Sequence, residues 1–114
     1  MTDFEAIRQY RAASDFRDFL RNRRLPWIFE TDPAIVAWSK ERDKKRIEQL
    51  EQTMRQAEEA IARLPRDEWR EAIIQRYFLQ RDHMAAAEAM NYSESSVKRF
   101  EYAAIEYLSQ TEGR

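Results

Sequence analysis

An all-α fold is predicted for this 114-residue chain by three observations. Glycine occurs once and proline three times, too little turn material for a multistranded sheet. Apolar side chains recur at spacings of three and four, the helical period. Pairs that start helices, Thr2 with Glu5 and Asp32 with Pro33, stand where such stretches begin.

The first segment, residues 1–31, reads as a helical extension. Thr2 and Glu5 form a capping-box pattern, with Phe4 and Ile7 on one face. Phe16, Phe19 and Leu20 continue the apolar stripe in a shifted phase. A break at Ala12-Ala13-Ser14 is therefore expected, with Ser14 capping a second short helix. Arg21, Arg23 and Arg24 end that helix where its dipole favours cations. Pro26 holds Leu25 out of helical geometry, so Leu25-Pro26-Trp27-Ile28-Phe29 reads as a connector. Its three large apolar residues pack over the long helix or form a partner-binding patch.

Residues 32–64 predict one long helix. Asp32 caps it, Pro33 takes its first position, and nothing breaks it before Leu64-Pro65, roughly 45 Å later. Ile47, Leu50, Met54, Ala57, Ile61 and Leu64 form an apolar seam of the coiled-coil kind. Glu41–Lys45, Glu51–Arg55 and Glu59–Arg63 are i,i+4 pairs in the favourable order. So long a helix either folds against the N-terminal segment or pairs with a second copy as a homodimer.

Residues 65–110 contain three further predicted helices. Asp67 is expected to cap the first, whose apolar face is Trp69, Ile73, Tyr77 and Phe78. A short helix from His83 to Met90 follows, capped by Asp82. Asn91 suits a left-handed turn, and Ser93 caps a last helix from Glu94 to near Gln110. Val97, Phe100, Ala104, Ile105 and Leu108 form its predicted inner face. The small residues Ala85 to Ala87 and Ala89 let the helices cross closely. This order and spacing are those of a helix-turn-helix, which lays its second helix in a DNA groove.

The C-terminal half resembles region four of bacterial sigma factors over roughly Leu64 to Leu108. The resemblance rests on Leu64-Pro65, Arg76-Tyr77-Phe78, Ala87-Glu88, Ser93 and Val97-Lys98, with Ala104 and Leu108 in the closing turns. The whole chain is similar to small phage transcriptional regulators of the ArpU and RinA type. That resemblance implies control of phage late or packaging-related transcription, with double-stranded DNA as the expected partner and RNA polymerase as an optional second one. Two positions depart from the pattern. Glu101 stands where the family buries an aliphatic residue, and Phe100 is expected to take its place by a slight rotation of the helix. Leu79-Gln80-Arg81 lacks the glycine that commonly turns the chain there.

On a DNA-reading helix the exposed first turns reach the major groove. Here they carry Glu94, Ser95, Ser96, Lys98 and Arg99, with Tyr102 behind them. Arg99 suits guanine edges, Ser95 or Ser96 suit bases or phosphate, and Lys98 suits phosphate. Glu94 accepts from cytosine or simply favours the helix N-terminus. The Ser93 cap brings amides near phosphate. Arg76 and Arg81 flank the motif as candidate backbone contacts, an internal ion pair being the alternative for Arg76.

Charge distribution pulls the other way. Residues 1–46 carry 11 basic and 8 acidic side chains, whereas residues 82–114 carry 3 and 6. The end expected to read DNA is the acidic end. A rival reading is therefore a helical adaptor that binds a protein, using Trp27-Ile28-Phe29 or the long-helix seam. A phage packaging recognition subunit is a third option, although that architecture usually places its DNA module first.

Other classes are poorly supported. Without cysteine there is no disulfide framework, thiolate zinc site or cysteine nucleophile, which fits a reducing cytosol. No run of about 18 apolar residues is present to span a membrane. The N-terminus, with Asp3 and Glu5, lacks a secretion-signal core, so a cytoplasmic location is expected. His83 is the only histidine and has no carboxylate or hydroxyl at catalytic spacing. The only glycine, Gly113, forms no phosphate loop. No enzymatic activity, metal or cofactor is expected.

Overall fold

The computed structural model describes residues 1–23 and 32–112, and among these every regular element is a helix. Helix α1 spans Asp3–Asn22 and α2 spans Pro33–Ala62. Helix α3, Asp67–Ile73, runs on into a π-helical turn, Ile74–Phe78. Helices α4, His83–Met90, and α5, Glu94–Thr111, follow. The connector Leu25–Phe29, with Arg24, lies outside the described residues, as does Gly113.

The predicted capping box is present: Thr2 and Glu5 satisfy each other's backbone N–H groups. Helix α1 then continues without the break expected at Ala12-Ala13-Ser14. The phase shift that suggested it came from counting Phe16 and Phe19 as inward, and both are exposed. The buried stripe is Ala6, Ile7, Ala13 and Leu20, which keeps one phase throughout. Alanine at position 13 favours the helix and lets α2 approach closely.

Asp32 caps α2 as expected, accepting from Ala34 N–H at 3.0 Å. The seam from Leu50 to Leu64 is spent within the molecule. Ala13 and Leu20 of α1 pack with Leu50 and Met54, and Ala6 and Ile7 pack with Ala57, Ala60, Ile61 and Leu64. The i,i+4 pairs expected along α2 give way to bonds between helices. Glu51 pairs with Arg21, Arg63 with Asp3, and Asp43 with Arg23. A carboxylate facing a neighbouring helix finds a better-placed guanidinium there than on its own exposed face.

Pro65 ends α2. Arg70 turns back to donate to the Leu64 carbonyl and pairs with Asp67, so Asp67 lies in the first turn of α3 and is not its cap. Ile73, Ala104 and Leu108 join the cluster at the base of the hairpin, flanked by Trp69, Tyr77, Phe78 and Tyr107. Phe78 stacks on Tyr10 of α1 at 3.7 Å between ring centroids. Burying a side chain the size of Ile73 or Leu108 contributes about 1.5–3 kcal/mol. One core therefore joins the hairpin to α3 and α5. A smaller cluster, Ala72, Ala86, Ala87 and Val97, packs α4 between α3 and α5.

Candidate functional site

The site grows from two turns that each need a left-handed residue. Gln80, with φ 52°, reverses the chain after the π-helical turn, where the glycine was missing. Asn91, with φ 61°, closes α4. Tyr92 N–H reaches the Ala87 carbonyl at 3.1 Å and Asn91 N–H reaches that of Glu88 at 3.3 Å, the paired bonds of a Schellman ending. Asp82 caps α4, accepting from Ala85 N–H at 2.8 Å. Ser93 then caps α5, accepting from Ser96 N–H at 3.2 Å. Three residues thus separate the last position of α4 from the first of α5.

Behind the turn lies a polar cluster that sequence reasoning missed. Glu101, only 4% exposed, sits on the inner face of α5 with Val97, Ala104 and Leu108. Its carboxylate accepts from the Tyr77 hydroxyl at 2.7 Å and from Arg76 Nε at 3.3 Å. His83 Nε2 lies 2.7 Å from its second oxygen. Burial would push the Glu101 carboxyl up, but the bonds from Tyr77 and His83 and the Arg76 charge outweigh it and hold it below its ordinary value. Burial, then the bond to Glu101, pushes the Tyr77 hydroxyl up to about 12.

Two corrections follow. Phe100 does not replace Glu101 inside: it is half-buried at the edge, edge-on to Tyr92, and Ile105 is likewise only half-buried. His83 does have a carboxylate partner, brought from a different helix. The π-helical turn accounts for the geometry. It inserts about one extra residue, a rotation of about 100°. Arg76 and Tyr77 thereby face α5 while Phe78 faces α1. The detectable signal in the sequence was three potential donors, Arg76, Tyr77 and His83, preceding one misplaced carboxylate.

The opposite side of α5 is open to solvent. Glu94, Ser95, Lys98, Arg99 and Tyr102 are exposed there, Tyr102 at 66%. Ser96 is half-buried, its hydroxyl shared between Ser93 at 3.0 Å and Arg99 Nη2 at 3.3 Å. Arg76 does not join this face. Besides Glu101, it donates to the Arg81 carbonyl at 2.5 Å. Arg81 is exposed but donates to the Gln75 side chain at 2.8 Å, which keeps it beside the π-helical turn. Among the described residues the cations close to the α4–α5 turn without an ion pair are thus Lys98 and Arg99.

Among the described residues no three histidine, cysteine or carboxylate side chains converge as a metal site would require. No helix of the described chain is long and apolar enough to cross a membrane. Compared with known protein families, with curated proteins and with solved structures, the chain matches none, and its functional reading rests on the geometry of α3 to α5.

Proposed function

We propose that the protein is a sequence-specific DNA-binding regulator of transcription, with α4, the turn and α5 acting as a helix-turn-helix. The observation that carries this reading is the two-sided character of α5. Its inner face is fixed by Val97, Glu101, Ala104 and Leu108, while Glu94, Ser95, Lys98, Arg99 and Tyr102 share the solvent side. In a major groove Arg99 would take guanine edges and Lys98 phosphate, with Ser95 adding an adaptable hydroxyl. Behind this face Arg76 braces the helix through Glu101, and Arg81 holds the π-helical turn. The expected role is binding, without catalysis, in the setting of a phage or prophage regulator.

The test is a selection on randomised duplex DNA at moderate salt, comparing wild type with Lys98→Ala/Arg99→Ala. Wild type is expected to enrich a defined motif. The double variant, still folded by circular dichroism, is expected to lose it. No enrichment by folded wild type would remove autonomous DNA reading.

One observation favours a second reading. Between residues 82 and 112 the only basic side chains are Lys98 and Arg99, against six carboxylates. So acidic a module gains little from phosphate attraction. DNA reading would then depend on a partner such as RNA polymerase, or the chain would serve as an adaptor on that partner.

A further inference from the structure

We propose that the groove between α1 and α2, remote from the helix-turn-helix, is a docking site for an acidic amphipathic helix of another protein. The groove measures about 380 Å³, and its floor is Ala12, Ala13 and Leu50 with Phe16 at one end. Phe16 and Phe19 lie 40% and 55% exposed and stack on one another with ring centroids 6.0 Å apart. Two neighbouring aromatic rings left in water beside an apolar groove mark a contact surface. The small alanines of the floor leave room for a partner's side chains.

Charge identifies the partner. Among the described residues no carboxylate lines the groove, and its one charged side chain is Arg46, whose guanidinium lies 5.6 Å from the Phe16 ring centroid. Among the described residues Arg46 has no ion pair and donates only to Gln49, at 3.3 Å. Lys45 has none either among the described residues. Arg42, one turn earlier, leans towards Asp43 at 3.7 Å, but that carboxylate is already held by Arg23. Asp15 and Asp18, the acids nearest the two rings in sequence, pair with Arg11 and Arg17. An apolar floor edged by Gln9, Gln49 and Thr53, with the unpaired Arg46 as its lining cation, complements a helix bearing leucine-like side chains on one stripe and carboxylates beside it.

Two other occupants fit less well. A two-fold copy would set the same patch against itself and bring cations to cations. Duplex DNA offers phosphates but no apolar side chain for the floor.

The proposal is tested by titrating the ¹⁵N-labelled full chain with a synthetic Glu-rich helical peptide bearing Leu at i, i+3, i+4 and i+7. A Lys-rich counterpart and a scrambled Glu-rich peptide serve as controls. Shifts confined to residues 9–19 and 46–53, with the acidic amphipathic peptide alone, are the expected result. Arg46→Glu and Phe16→Ser, both at exposed positions, are each expected to weaken binding at least ten-fold. The proposal is overturned by any of four results: no shifts in the groove, equal response to a control peptide, the same shifts with duplex DNA, or a peptide-free dimer that Phe16→Ser dissociates.

Discussion

Replacing Glu101 removes the acceptor shared by Tyr77, His83 and Arg76 and strands a guanidinium against the core. Breaking a buried pair costs about 3–5 kcal/mol. Because Arg76 keeps some exposure, Glu101→Ala is expected to lose about 3 kcal/mol, read by urea denaturation. The same cluster sets the pH profile. Glu101 has a depressed folded value, so its contribution is present above the ordinary carboxylate value of 4.5 and is lost as pH falls through the lower folded one. Tyr77 has a raised value, so its contribution is present below 10.0 and is lost as pH rises towards about 12. Glu101→Gln is therefore expected to flatten the acid limb of stability against pH, and Tyr77→Phe the alkaline limb. Because the Tyr77–Glu101 bond contributes to both shifts, each substitution is expected to act mainly on its own limb and in part on the other.

The caps and turns were the most legible elements. Thr2, Asp32, Asp82 and Ser93 each cap where the sequence placed them, because capping depends on one side chain and the next three residues. Ser93→Ala is accordingly expected to cost about 1 kcal/mol. The missing glycine was also legible, as a conflict that Gln80 resolves by accepting a left-handed backbone. Gln80→Gly should relieve that conflict and stabilise by about 1 kcal/mol, raising Tm. The continuity of α1 was not legible, since sequence spacing cannot reveal that Phe16 and Phe19 face water. The π-helical turn was hidden for a similar reason: the groups its side chains engage, Tyr10 and Glu101, lie far from it in the chain. The ion pairs of α2 also depended on a neighbour that spacing along one helix does not show. For the candidate site, the exposed residues of α5 followed from helical period alone, and an internal ion pair was one of two readings for Arg76, whereas its partner Glu101 required the tertiary fold.

Taken whole, the molecule is a slab of 57 × 34 × 15 Å with a radius of gyration of 18.3 Å, against about 13 Å for a compact chain of this length. Its core is thickest where α1, α2, α3 and α5 meet, and thins along the hairpin to Ala13, Leu20, Leu50 and Met54. Hydrogen exchange should follow that gradient, with amides of residues 54–62 protected more strongly than those of 36–46. Uniform protection along α2 would contradict it. If α5 meets phosphate only through Lys98, Lys98→Ala should lower the salt dependence of DNA binding by about one unit of slope. The clamp on Glu101 has a mechanical consequence for any such complex. Helix α5 is gripped at Val97 as well as at Glu101, and only about 5 Å of rod extends from the outer grip to Glu94. A cantilever that short cannot roll or flex to suit its target without tearing its anchor. Were α5 to enter a groove as proposed, adjustment would fall to the partner, and a groove unable to deform to meet the rod would be rejected.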